Sequence, residues 1–553
     1  MRTSLILLLS IFFFISCTDL EEEVLDEALN TDLIEGEGYE EGLLAAVYSS
    51  NDDLYTHYGY NFGLQEFSTD EAMIPTRVTD WDDNGTYRDL HLFTWTPFHS
   101  IVNRTWNSLN QGIARSTQAL ATLSGSGSPL RDQYMAEARA MGAMFMHNML
   151  DLYGVVLYRD PETLNFNEAP IILRGQAAVD LVITEFEASL GDLPSRNDGG
   201  LGQGRMTVEA ASGLLARVYL NKAVYENVYA STFNFAGEDM QEVINLTTNV
   251  INSGAHTLET ADYFSMFDVG NENHPEHVFV VDQRTETKIG DNRFAVVTYS
   301  RGQRPTPRTR PFNGACTTPG FLDTWEGNTD DPRYYKQEFL QDGSVTRLPS
   351  PDFETGDFFR FNRGFQEGQQ YGPVLDDTGS DFKRDENDPS LLVIEPLTNF
   401  RDDNLVIFTR TFESIFTTQA AGVRVFKYEF DPANGSATQG GVDIPLLRYA
   451  DIYLMRAEAK LRTGDNAGAL ADVNTVREAR GASLLNTLDL EAMYNERGYE
   501  LYWEQVRRPD MIRFGTYDAP RFFKESSAVT YRLFPIPQSA IDANRALEQN
   551  DGY

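Results

Sequence analysis

Two glutamates near the end of the chain have a spacing that could serve catalysis. Glu500 and Glu504 lie four residues apart, and a glycoside hydrolase needs two carboxyl groups about 5 to 9.5 Å apart that flank a sugar. In a continuous helix both would share one face, where Arg507 and Arg508 follow within reach and can pair with them. Because a single helix face cannot flank a ring, we predict salt bridges here, and a glycoside hydrolase is the less favoured function.

Other catalytic and metal-binding motifs are absent from the sequence. It contains no nucleophile elbow, no phosphate-binding glycine loop and no HExxH motif, and His274 and His277 are the only close pair among seven histidines. We therefore predict a protein that is not an enzyme, with no catalytic residues, no cofactor and no metal ligands. Acidic loops such as residues 80–84 leave a structural calcium ion open, although the spacing of an EF-hand is absent.

A tryptophan in an acidic, turn-rich stretch is the best candidate for ligand contact. Trp81 lies in the sequence Asp-Trp-Asp-Asp-Asn-Gly at residues 80–85, where the neighbouring carboxylates favour a surface position. An exposed aromatic plane can stack on the apolar face of a sugar, and Asp, Asn or Arg side chains can hydrogen-bond its hydroxyl groups. Trp81 is therefore predicted to bind ligand.

The amino terminus predicts export and a lipid anchor. An apolar run at residues 5–15 has the length of a signal-peptide core and is too short to cross a bilayer. Cys17 follows at the lipoprotein cleavage position, so residues 1–16 are predicted to be a signal peptide and Cys17 the acylated first residue. Residues 17–38 would form an acidic tether. The alternative is an ordinary secretory signal that is removed together with Cys17.

Composition limits the class of partner. The chain of 553 residues has a formal net charge of −38, which excludes nucleic acid. It makes a neutral ligand a simpler expectation than a polyanion, unless a metal ion or a local basic patch intervenes. The 41% of apolar residues is typical of a folded protein. Acylation of Cys17 would leave Cys316 as a lone thiol.

Hydrophobic periodicity predicts helices towards both ends of the mature chain. Apolar residues at intervals of three and four predict helices at 39–53, about 101–123, 132–153, 208–229, 451–462 and 466–479. The short turn at 463–465 is typical of tetratricopeptide-type helix hairpins. Between these groups, at roughly 255–443, turn-forming and aromatic residues crowd together, and only short alternating runs such as 277–282 predict strands.

Six segments spread over nearly the whole mature chain carry a family resemblance. They are TDEAMIPTRVTDW (69–81), EARAMGAMFMHNMLDLYG (137–154), RPFNGACTTPGFLDTW (310–325), IPLLRYADIYLMRAEAKLRTGD (444–465), ERGYELYWEQVRRPDMIRFG (496–515) and FPIPQSAIDAN (534–544). In this order they resemble the SusD/RagB family of outer-membrane nutrient-binding lipoproteins, of the starch-utilisation-system type.

The resemblance implies both a fold and a function. The fold is mostly α, with tetratricopeptide-like helix pairs at about 39–250 and 444–515 that form a right-handed scaffold, and a large, irregular, loop-rich inserted region at about 255–443. Residues 39–553 would form one glycan-binding domain. The implied function is non-catalytic: the protein is lipid-anchored at the extracellular face of the outer membrane, binds an oligosaccharide or polysaccharide, and delivers it to a TonB-dependent SusC-like transporter barrel. A receptor for a non-glycan nutrient such as peptides is the alternative.

Polar residues in turns and loops complete the predicted site, because binding residues are concentrated on loops above a rigid scaffold. The predicted ligand-binding residues are Trp81, Asp70, Asn51, Asp53, Cys316 and Arg401. The alternatives left open are a salt bridge at Asp70, a plain turn at Asn51 and Asp53, and a buried structural position for Cys316.

Overall fold

The computed structural model describes residues 38–283, 293–432 and 440–553. Cys17 and the acidic tether lie outside the described residues, so the lipid anchor and the division at residues 16 and 38 stay predictions. Backbone contacts divide the chain into Met1–Leu43 and Leu44–Tyr553. All packing described below lies within the second unit.

Helices dominate the secondary structure. They are α1 (Tyr39–Tyr48), α2 (Asn61–Glu66), α3 (Arg88–Leu92), α4 (Ser100–Leu123), α5 (Arg131–Tyr153), α6 (Gly175–Ser189), α7 (Val208–Glu226), α8 (Gly237–Ser253), α9 (Arg293–Thr298), α10 (Pro319–Thr324), α11 (Tyr449–Arg462), α12 (Asn466–Ala479), α13 (Leu490–Leu501), α14 (Arg507–Arg513) and α15 (Gln538–Ala543). The mostly α prediction is confirmed. Within the described residues no helix is both long and apolar enough to span a membrane.

The long helices pack in chain order. Each helix from α4 to α7 packs against the next one in the chain. α8 packs against α11, which follows the loop-rich region and pairs with α12. A glycine permits the close approach of α4 and α5: a Cβ at Gly112 would lie 2.6 Å from the ring of Phe145. The paired helices predicted from periodicity are therefore present, and α6, α8 and α13 add to them.

Short strands complete the secondary structure, and most of them lie in the loop-rich region. They are β1 (Val156–Tyr158), β2 (Ile171–Leu173), β3 (His277–Val281), β4 (Tyr335–Lys336), β5 (Arg347–Pro349), β6 (Arg363–Gln366), β7 (Gly368–Gln369), β8 (Tyr371–Pro373), β9 (Leu391–Pro396), β10 (Ile407–Phe408), β11 (Arg424–Phe426) and β12 (Ile444–Arg448). The strand orders are β1-β2, β3-β12, β4-β6-β11, β5-β9-β8 and β7-β10, all antiparallel. The pairing of β3 with β12 joins the two ends of the region.

A buried ion-pair network connects this region to the helices. Glu500 near the end of α13 accepts hydrogen bonds from Arg480 at 2.7 Å, Arg448 at 2.8 Å and Arg333 at 3.1 Å, and all four side chains are 0% exposed. Burial by itself would raise the pKa of Glu500, but the three guanidinium groups outweigh it and hold that pKa well below its usual range. The carboxylate is therefore charged and fully paired.

The partners predicted for Glu500 and Glu504 are wrong, because the chain leaves the helix between them. α13 ends at Leu501, and Trp503 and Gln505 have φ angles of 62° and 64°. The pairs observed are Glu504 with Lys427 and Arg448, Arg507 with Asp70, and Arg508 with Asp151. The four residues do form salt bridges as predicted, but with partners distant in sequence.

Replacing the central carboxylate tests the network. Glu500→Gln removes a buried negative charge and leaves three arginines under-compensated, so we expect a loss of about 3 kcal/mol in the free energy of unfolding. Glu478→Gln, which alters an exposed glutamate of α12, is the matched control and should cost less than about 0.5 kcal/mol. Urea unfolding of both variants measures the difference, and equal midpoints would show that the network does not hold the fold.

Candidate functional site

Trp81 lies in a tight turn with an unusual backbone. Its φ is 60°, and Asn84 in the same turn has a φ of 53°, a region that residues other than glycine seldom adopt and that is found most often at functional sites. The Trp81 indole N–H donates to the Phe312 carbonyl at 3.1 Å. The ring makes edge-on contacts with Tyr58 and Tyr87 at 5.8 and 5.4 Å between centroids. Trp81 is half-buried and firmly held.

Asp80, the residue before Trp81, pairs with two arginines of the loop-rich region. Asp80 Oδ2 lies 2.6 Å from Arg401 Nε and 3.6 Å from Arg301 Nη2. Burial lowers the pKa of Arg301, and the charges of Arg401 and Arg310 lower it further, while Asp80 opposes both effects. Asp80 thus pairs with two guanidinium groups, and the charge of a third acts on one of them.

An exposed aromatic ring borders these arginines. Phe400 is 59% exposed, and the Arg310 guanidinium lies over its ring at 5.0 Å from the centroid. Arg310 is exposed as well, and its charge also lowers the pKa of the buried Arg304, after burial itself. Trp81, Phe400 and the arginines together offer apolar planes beside hydrogen-bond donors, the combination that a sugar requires.

Two further arginines lie beneath Trp81. Arg77 donates to the Gly314 carbonyl at 2.8 and 3.0 Å and to the Ala421 carbonyl at 2.6 Å. Arg424 donates to the carbonyls of Gly314 and Ala315 at 3.1 and 2.9 Å. Both side chains are 0% exposed. They fix the backbone of the segment against which the Trp81 ring packs.

A cleft of about 780 Å³ opens beside this segment. Thr306, Pro307 and Arg308 form one wall, and residues 350–357 contribute to the opposite wall. Four residues beyond Arg308, the same segment receives the Trp81 N–H at Phe312. The volume lies within the about 300–1,000 Å³ of typical small-molecule sites.

The structure brings only part of the predicted site together. Arg401 is joined to the Trp81 turn through Asp80, and Cys316, which is 0% exposed, lies two residues beyond Gly314 and has no surface that a ligand can touch. Asp70 accepts two hydrogen bonds of 2.8 Å from Arg507. Burial would raise the pKa of Asp70, but Arg507 lowers it below its usual value.

The two residues after α1 differ in exposure. Asn51 is 3% exposed, and its side-chain oxygen has no hydrogen-bond partner among the described residues. Asp53 is exposed at a φ of 56°, which is turn geometry. No contact in the described parts of the chain joins Asp70, Asn51 or Asp53 to Trp81.

Sequence reasoning missed several residues around Trp81. They are Tyr58, Tyr87, Arg301, Arg304, Arg310 and Phe400. For the arginines a signal was present, because residues 301–310 contain four arginines in a chain of strongly negative charge. The remaining contacts depend on how distant segments meet. In the described ranges no group of three or more His, Cys, Asp or Glu side chains is arranged to hold a metal ion.

Comparison with known proteins places the chain among SusD-like proteins. The model of the SusD family matches residues 249–553. The starch-binding protein SusD of Bacteroides thetaiotaomicron is 22% identical over 520 residues, which cover 90% of this chain and 86% of that protein. A solved SusD-like protein of Bacteroides fragilis superposes with a TM-score of 0.67 at 18% identity, covering 96% of this chain and 99% of the other. A laminarin-binding SusD-like protein gives 0.64 at 18% identity and covers 94% and 100%.

A methyl group at Gly314 should displace Trp81. A Cβ there would lie 2.7 Å from two atoms of the indole ring, so we expect Gly314→Ala to lower the free energy of unfolding by about 1 to 3 kcal/mol. In a Trp81→Ala background the same change should cost less than half as much, because the obstacle is gone. Gly127→Ala, with no atom within 4 Å of its Cβ, is the control. Urea unfolding of the single and double variants gives the coupling, and equal costs in both backgrounds would contradict the packing.

Proposed function

The chain belongs to the SusD family, and on this premise we propose that it binds an oligosaccharide at the cell surface and delivers it to a TonB-dependent outer-membrane transporter without catalysis. The observation that carries the proposal is the group formed by Trp81, Phe400 and Arg401. It combines aromatic planes with guanidinium donors, and Asp80 joins Arg401 to the Trp81 turn. Such a group binds the apolar faces and the hydroxyl rims of sugars.

The named relatives support a glycan as the ligand. One is a starch-binding protein and another binds laminarin. The family match includes Arg301, Arg310, Phe400 and Arg401, and Trp81 lies outside it. The position of the site therefore rests on the geometry of this chain, and the named relatives support a glycan as its ligand.

The state of the candidate acids supports binding rather than hydrolysis. Glu500 and Glu504 are 0% and 5% exposed and bind arginine and lysine side chains. A general acid of a glycoside hydrolase needs a raised pKa and access to the sugar. The pKa of Glu500 is lowered instead, since three guanidinium groups outweigh its burial. Glu500 is fully buried and cannot reach a ligand in this structure.

A calorimetric titration with oligosaccharides tests the site. Trp81→Ala removes the aromatic plane, and we expect its affinity for the bound oligosaccharide to fall by about tenfold or more. Phe166→Ala, which removes a ring that is 50% exposed on the loop between β1 and β2, should leave the affinity unchanged. Comparable heats from Trp81→Ala and the unaltered protein would show that the ligand binds at another place in the protein. Peptide binding without sugar binding would favour the alternative nutrient.

The proposal also includes a lipid anchor at Cys17 and a transporter partner. We expect cells that express the Cys17→Ser precursor to incorporate no labelled fatty acid into the protein and to lose it from the outer-membrane fraction, because a stable anchor depends on acyl chains. Cys316→Ser, at the other cysteine of the chain, is the control and should retain the label. Affinity purification of the unaltered protein from detergent-solubilised membranes should recover a large transporter barrel. Fatty-acid labelling of the Cys17→Ser protein would refute the anchor.

A further inference from the structure

The charge around Trp81 has the opposite sign to that of the whole chain. The protein carries a formal net charge of −38, yet six arginines surround the Trp81 turn and the segment behind it. They are Arg77, Arg301, Arg304, Arg310, Arg401 and Arg424, and Asp80 is the carboxylate paired with two of them. In the part of the chain that the structure describes, no carboxylate lies at ion-pair distance from Arg77, Arg304, Arg310 or Arg424. In this group of seven charged side chains, six are positive and one is negative.

Two of these arginines, Arg77 and Arg424, are buried and contribute positive charge beneath the Trp81 turn. Arg77 and Arg424 donate hydrogen bonds to backbone carbonyl groups and, for Arg424, to the side-chain oxygen of Asn313. No carboxylate among the described residues accepts a hydrogen bond from either of them. Burial lowers the pKa of Arg77 to about 10, so its guanidinium is charged at neutral pH. A buried charge without a counter-ion is costly, and its field is screened much less than that of a surface charge. Both arginines donate to the Gly314 carbonyl, and Gly314 packs against the Trp81 ring.

The exposed arginines supply the groups that a ligand can touch. The Arg401 side chain is 46% exposed although its Nε faces Asp80, and Arg310 lies against the exposed ring of Phe400. A planar guanidinium offers parallel donors that match a carboxylate or a sulfate group. Stacking on Phe400 holds the Arg310 donors in place.

We propose that the oligosaccharide is anionic, with sulfate or uronate groups that bind Arg310 and Arg401 while Trp81 contacts a sugar ring. This inference rests on the proposed function and names the class of sugar. It replaces the neutral ligand expected from net charge, because a local basic patch is the condition under which a polyanion becomes the better ligand.

Acidic residues also border the patch and define how strong the effect is. Asp82, Asp83, Asp402 and Asp403 are exposed, and Asp82 lies 3.5 Å from Arg88. Exposed charges are screened by water and salt, whereas the fields of Arg77 and Arg424 are not to the same degree. The two buried arginines that bind the Gly314 segment therefore count for more than the exposed carboxylates do.

The test is a titration of the exported protein, purified in detergent, with three oligosaccharides of similar length: one neutral, one containing uronate and one sulfated. At low salt we expect about tenfold tighter binding of at least one anionic sugar than of the neutral one, the gain of a charge-assisted hydrogen bond. This preference should shrink as salt is raised, because the contacts are ionic. The comparison of uronate with sulfate identifies which anionic group the site takes.

Charge-removing variants assign the effect to named residues. In Arg310→Gln/Arg401→Gln we expect anionic affinity to fall about tenfold or more and neutral affinity to fall clearly less, because a neutral sugar loses hydrogen-bond donors but no charge-assisted contact. Arg131→Gln, at an exposed arginine that begins α5, is the matched control and should change neither. Arg401→Lys retains the charge without the planar fork, and we expect partial loss. Thermal unfolding of each variant shows that the fold is intact.

The outcomes separate the inference from the function on which it rests. Neutral binding that Trp81→Ala abolishes, with no anionic preference and no salt dependence, overturns the inference and leaves the proposed function standing. Equal loss of neutral and anionic binding in the double arginine variant also overturns it, because the arginines would then act on the fold of the site. No binding of any of the three sugars overturns both.

Discussion

The requirement that a buried charge find a counter-charge determines how this protein is assembled. Glu500 on α13 is bound by Arg333 from the loop-rich region, Arg448 from the end of β12 and Arg480 just beyond α12. Each of these charges is fully buried, so displacing any one segment would leave a charge unpaired at a cost of several kcal/mol. The network therefore holds the chain around Arg333 and the end of β12 against the helices α12 and α13.

The same residue type is treated differently at the candidate site. In the network every arginine has a carboxylate partner, whereas Arg77 and Arg424 are held by carbonyl groups and a side-chain amide oxygen. Carbonyl dipoles satisfy the hydrogen-bonding needs of a guanidinium but do not neutralise it. The charges of the network thus neutralise one another, whereas the charges of Arg77 and Arg424 are not neutralised by the groups that bind them. Arginines paired with carboxylates thus hold the scaffold together, whereas Arg77 and Arg424 at the candidate site are held by neutral groups.

Local pattern was sufficient for much of the helical scaffold. The predicted helix at 466–479 coincides with α12, and the prediction at 132–153 begins one residue late. α8 was missed because its Asn and Thr residues weaken helix propensity, yet Met240, Val243 and Val250 recur at helical intervals and are buried. In α6, β-branched residues concealed a similar pattern. In both helices, packing against neighbouring helices outweighs propensity, and the hydrophobic period was the better guide.

The ion pairs show what a local sequence pattern cannot predict. Extending a helical period past Leu501 paired Glu504 with the wrong arginines, because positive φ angles at Trp503 and Gln505 turn the chain out of α13. Sequence separation hides the true partner of Arg507, since Asp70 is 437 residues away. The expectation of salt bridges still held, because a buried carboxylate must be paired somewhere whatever the topology. Net charge does not describe the charge at the site for the converse reason: it averages over residues that never meet, while the charge at one place depends only on the few residues that the fold brings together.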